Sequence, residues 1–353
     1  MKYPFLSTFL LAGLLLCSAC EKDPGIIIPE TDYSEILINT GENVILKTYE
    51  SLAIKASALQ TATLDLENNP NVSTLETAKA AWRSARSPWE QSEGFLFGPV
   101  DQEGIDPALD SWPVNVTDLN NVLASGNAIT VDFLSQQEGT LKGFHTIEFL
   151  LWGENGDKQI ADFTTREFEY LAAASAVLAG DAQKLYDLWK PAGGNFISNV
   201  LEAGAGSLLY ISQKSALEEF TNALIIIADE VANGKINDPY SQQDPSLEES
   251  RFSANSKADF ADNMRSIRNI YTGVFEAFGN GNSVSNIIEA QDASLNTRVL
   301  TEIDAAILSI ENIPGTFSDA VFNSPNAVSA AQQAVRDLQA TLEELVLPII
   351  SNL

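Results

Sequence analysis

Apolar residues in this chain recur at alternating intervals of three and four. Phe260, Met264, Ile267, Tyr271 and Val274 are spaced 4-3-4-3, and Val328, Ala331, Val335, Leu338, Leu342 and Leu345 keep the same rhythm near the C-terminus. A 3.6-residue period puts each set on one face of a helix, and such a face must be buried against other helices. No stretch alternates polar and apolar residues between hairpin turns. The expectation is an all-α protein made of helical bundles.

The punctuation divides the chain. A first helix is expected over about 38–67, ended by Asn68-Asn69-Pro70, and Ser73-x-x-Glu76 is a capping box that starts a second. Thr164-x-x-Glu167 caps another, running to about Trp189, and further helices are expected near 217–232, 256–278, 293–312 and 326–351. Residues 98–129 are rich in Gly, Pro, Asp and Asn; a connection that long in a compact domain is often functional. A long helix, a loop and a helix carrying arginine with an aromatic residue occur near 38–95 and again near 217–278. A chain of 353 residues also exceeds one typical core. The organisation expected is two related four-helix-type bundles, residues 36–212 and 213–353.

The first 35 residues read differently. Lys2 followed by the apolar run Phe5–Leu16 has the form of a secretory signal, and the run is shorter than the roughly 20 residues that cross a bilayer. Ser18-Ala19-Cys20 supplies small residues before a cysteine, the lipoprotein cleavage pattern, although Cys17 stands where leucine is usual. Residues 1–19 are therefore expected to be a lipoprotein signal peptide, Cys20 the lipidation site and 20–35 a tether; an ordinary cleaved secretory signal is the alternative. Acylation of Cys20 would leave the mature chain no thiol. The net charge of −28 argues against nucleic acid and anionic lipid as partners, and suits attraction of cations or plain solubility.

His145 is the only histidine. It lies in Gly143-Phe-His145-Thr-Ile-Glu148-Phe-Leu-Leu-Trp-Gly153, where His145 and Glu148 share a helix face beside Phe144, Ile147, Leu150 and Leu151. An imidazole and a carboxylate against an apolar wall form half of a metal site or an acid/base pair; a buried histidine bonded to its neighbour as core structure is equally open. One histidine excludes HExxH and three-histidine zinc sites within one chain. Any metal site must be His145 plus oxygen donors, which suits iron, manganese or calcium at least as well as zinc. Arg86, Trp89 and Glu93 form a second stripe, and its charges must pair with each other or face a shared polar site.

These stretches resemble the imelysin family, also called insulin-cleaving membrane peptidases, which overlaps with iron-regulated envelope lipoproteins. The likeness rests on the GxHxxE run at 143–153, and on Arg86, Trp89 and Glu93 ahead of Phe95-x-Phe97-Gly98. Asp106-Pro-Ala-Leu-Asp110-Ser-Trp112-Pro113, and Arg251–Ser256 with the run 266–273, extend it. It implies a double-bundle fold and a metal site of His145, Glu148, Glu93 and Asp110, with Arg86 at the mouth and Trp112 as ligand-binding residues. The ligand implied is a metal ion or a small metal-bearing ligand, the cofactor being a metal ion, iron first, with zinc or calcium as alternatives. The partners implied are a membrane reached through the lipid anchor and proteins of iron uptake in the bacterial cell envelope. The alternatives are a metallopeptidase, as the family name suggests, and a non-catalytic, partner-binding lipoprotein.

Overall fold

The computed structural model describes residues 31–353. The expected signal peptide, Cys20 and residues 20–30 of the tether lie outside the described residues. Asp32–Leu353 form one compact unit, all helix and connection, and its single β-bridge joins Phe275 to Phe278. Among the described residues no helix is long and apolar enough to cross a membrane.

The first helix begins at Ser34, inside the expected tether, and runs on through a π-helical turn at Thr40–Ile45 into Leu46–Asn68. The second, Val72–Glu90, is capped by Asn71 and not by Ser73: the Asn71 carboxamide oxygen accepts from the amides of Ser73 and Thr74, at 2.9 and 3.2 Å. Asparagine satisfies the orphan donors of a first turn as well as serine does, so either reading fitted the sequence. The Thr164/Glu167 box does cap the helix Thr165–Trp189. Leu46–Asn68 packs along both Val72–Glu90 and Thr165–Trp189, and the short central helix Gly143–Trp152 lies against these last two.

In the second half, Ser256–Thr272 packs on Ala293–Glu311, which packs on Pro325–Thr341. Gln213–Asp229 closes this group against Ser256–Thr272 and Pro325–Thr341, then continues as a π-helical turn, Glu230–Lys235. The helix expected to reach residue 278 stops at Thr272, because Gly273 turns left-handed there (φ +68°). The halves meet where Ser256–Thr272 crosses Val72–Glu90, and the polar cluster described next fills that seam.

Candidate metal centre

The central helix is buried along its length, with Phe149 alone half-exposed. Its first residue, Gly143, has φ +77°, and a Cβ there would stand 2.4 Å from the Leu109 carbonyl oxygen. Glycine thus lets the helix start hard against the C-terminal end of the short helix Ile105–Asp110. That approach is what carries Asp110, on the long connection, to the His145 ring. The Trp82 indole donates to the Phe144 carbonyl (2.9 Å) and the Tyr170 hydroxyl to that of Leu141 (2.6 Å), fixing the start of the helix from two sides.

The two nitrogens of His145 have different surroundings. Nδ1 is 3.1 Å from Glu148 Oε2, one turn along the same helix. The other Glu148 oxygen accepts from both the amide and the hydroxyl of Ser253, each at 2.7 Å, so second-half backbone holds this carboxylate in place. Nε2 is buried and lies 3.0 Å from Asp110 Oδ1, an ion-pair contact. Asp110 in turn accepts from the Trp89 indole through Oδ2, at 2.6 Å.

Arg86 occupies the centre of the cluster. Fully buried, its guanidinium pairs with Asp110 and Glu90, lies 2.7 Å from Glu249 Oε1 and is 3.5 Å from Asp259 Oδ1. A second buried cation, Lys235, enters at the end of the second π-turn, with Nζ 2.7 Å from Glu93, 3.1 Å from Glu249 and 3.5 Å from Glu90. Asn263 donates to Glu90 and Glu93 at 2.6 and 2.9 Å.

Burial and charge oppose each other throughout. Burial pushes Glu90 and Glu93 well above the carboxylate range, in spite of Arg86 and Lys235. It lifts Asp259 to about 7. Burial would raise Asp110 too, but Arg86 and His145 hold it well below the usual range. Burial and the Arg86 charge both disfavour an imidazolium; Asp110 and Glu148 outweigh them and raise His145 to about 9. With no cation bound, the ring is therefore protonated at neutral pH.

Two sets of buried donor atoms lie close enough to hold one ion: Asp110, His145 and Glu249, and Glu90, Glu93 and Asp110, each within 4.8 Å of one another. Two members of the first set, His145 and Glu249, line a cavity of about 20 Å³ together with Trp112, Glu248 and Arg251, room for about one water or ion. Of the residues lining this cavity, His145 through Nε2 and Glu249 through Oε2 keep a buried polar atom without a hydrogen bond. An imidazole with hard oxygen donors fits a first-row metal ion.

Residues 45–345 match the sequence model of the family described as Imelysin. The chain belongs to the imelysin family. It is 30% identical to iron-regulated protein A of Synechococcus elongatus, over 95% of this chain and 90% of that protein. Among solved structures, a protein described as an iron-regulated protein A precursor from Parabacteroides distasonis superposes with a TM-score of 0.81 at 25% identity, covering 91% of this chain and 94% of that one. An imelysin-like protein from Psychrobacter arcticum shares the fold, with a TM-score of 0.74 at 12% identity, over 91% of this chain and 97% of that one.

Within this imelysin fold the four residues expected as metal ligands do not form one ring. Asp110 and His145 meet directly. Glu148 sits behind the imidazole on the Nδ1 side, where it orients the ring. Glu93 belongs to the Lys235 group, and touches the His145 group only through Asp110 and Glu249. It also lies beyond its helix, in a separate turn at Glu93–Phe95, because Val72–Glu90 ends sooner than its stripe suggested. Arg86, expected at a mouth, is instead enclosed by carboxylates; Trp112 lines the cavity, its ring centroid 6.3 Å from that of His145. Sequence reading missed Glu249, Lys235 and Asp259. The available signal was position: Glu248-Glu249 stands one residue before the imelysin-like run 251–256.

Proposed function

We propose that this imelysin family member binds a metal cation, iron foremost, at His145 Nε2 with Asp110 and Glu249, as a lipid-anchored envelope protein of iron acquisition. The observation that carries this is the buried Nε2 in contact with Asp110 and close to Glu249, with Glu148 on the opposite nitrogen. Metal-bound histidines commonly have that arrangement, a carboxylate behind the ring fixing its tautomer and raising its basicity. The names of the Synechococcus and Parabacteroides relatives, both iron-regulated protein A, favour iron over zinc or calcium. The Glu249 oxygen left without a hydrogen bond is an acceptor that a cation would satisfy.

Anchoring at Cys20, with proteins of iron uptake as partners, completes the proposal. It rests on the lipoprotein pattern at 18–20 and on the acidic chain. Calorimetric titration with ferrous, ferric and zinc ions, on the wild type and on His145→Ala, tests the binding. Micromolar or tighter uptake that His145→Ala abolishes is expected; no uptake by either protein overturns it.

One observation favours a second reading, a structural or partner-binding protein without a metal. Arg86 already bridges Asp110, Glu90 and Glu249, so the cluster carries its own counterion. Under that reading His145→Ala loses stability while metal titrations stay flat for both proteins.

A further inference from the structure

The loop between the two halves exposes three aliphatic side chains within four residues. Leu208 is 97% exposed, Ile211 86% and Leu209 49%. The loop is nevertheless tightly built. The amides of Ala205, Gly206 and Ser207 all donate to the Glu202 carbonyl, and that of Gly204 to the Tyr210 carbonyl, at 2.9–3.0 Å. The Ser207 hydroxyl accepts from the amides of Leu209 and Tyr210, and the Tyr210 ring is buried beneath as an anchor. Residues 203–213 carry no charge, in a chain with 68 charged side chains. An ordered, uncharged loop that points leucine and isoleucine into water marks a contact surface.

The position of the loop names the occupant. The amide of Tyr33 donates to Gln213 Oε1 at 2.6 Å, and Gln213 Nε2 donates to Asp32 Oδ1 at 2.9 Å. Gln213 is two residues from Ile211, so the chain arriving from the N-terminus is pinned to the base of this loop. Cys20 lies 12 residues before Asp32, a reach of at most about 40 Å. A lipid on Cys20 would hold Asp32, at the base of the loop, within that distance of the bilayer.

We propose that Leu208, Leu209 and Ile211 insert into the lipid–water interface of the membrane that carries the Cys20 anchor, a second foothold that fixes how the protein stands on the surface. This rests on the lipid-anchor reading given above. An uncharged aliphatic tip suits a zwitterionic interface; the acidic body would be repelled by an anionic one.

The acylated mature chain, which would hold no other thiol, is prepared with Leu208→Cys or Ile211→Cys, labelled with an environment-sensitive fluorophore and reconstituted into phosphatidylcholine–phosphatidylethanolamine vesicles carrying lipid-borne nitroxides. Val72→Cys is the reference: it is exposed, and lies just past Leu46–Asn68, a helix about 35 Å long that follows the π-turn whose Gly41 faces Leu201. Expected are co-flotation with vesicles, a blue shift and quenching at 208 and 211, and neither at 72. A chain that floats while all three labels stay equally wet overturns the loop proposal and leaves the anchor standing. Label burial without vesicles that grows with protein concentration points to a second copy, and overturns it as well. A chain without acyl mass that fails to float overturns the anchor reading, and this inference with it.

Discussion

The chemistry turns on which nitrogen of one imidazole is occupied. Glu148 takes Nδ1, so any cation must come to Nε2, and there it competes with a proton held up to about pH 9. Cation binding should therefore release close to one proton per ion at pH 7, and affinity should climb as pH rises toward 9. Calorimetry in buffers of different ionisation heat measures both. Glu148→Gln keeps the shape but removes the charge behind the ring; affinity should fall roughly 10-fold or more, with the Ser253 contacts still available. Arg86→Met tests the counterion. Removing one partner of a buried ionic network leaves the others uncompensated, so urea unfolding should show a loss of about 3–5 kcal/mol, which a bound cation would partly restore.

At the scale of elements, the glycine opening the GxHxxE run works by packing. Gly143→Ala would meet both the positive φ and the Leu109 carbonyl, so about 2–5 kcal/mol of stability and the Asp110–His145 approach should be lost together. Asn71→Ala, far from the cluster, should cost about 1 kcal/mol with cation affinity unchanged. Much of this level was legible in the sequence. Apolar periodicity gave the long helices to within a few residues, and the resemblance supplied Asp110 as the partner of His145. Helix ends were less legible, because caps such as Asn71 and Ser73 compete within two residues, and Gly273 stops a stripe that Val274 continues in the sequence. Glu249 and Lys235 were out of reach for a physical reason: no local pattern marks a loop carboxylate or a π-turn lysine that only tertiary contact brings to residues some 140 or more positions away.

For the whole molecule, the cluster sets how stability responds to pH. His145 is raised from 6.5 to about 9 and Asp259 from 3.8 to about 7, with Glu90 and Glu93 raised as well. A raised group stabilises the fold below its unfolded value, and that contribution is lost as pH climbs through the folded one. Asp110, held low, has the opposite sign and fails only in acid. The cation-free protein should thus lose urea resistance steadily between about pH 4 and 9, with the histidine's share falling between about 6.5 and 9; chemical denaturation at fixed pH steps checks the slope. The seam has one more consequence. Glu249, Lys235 and Ser253 come from one half of the chain and Arg86, Asp110 and His145 from the other, so an ion bound between them would act as a rivet. Loaded and empty molecules would then differ in how readily the halves hinge apart, giving a neighbouring protein a mechanical way to sense cargo that it never touches.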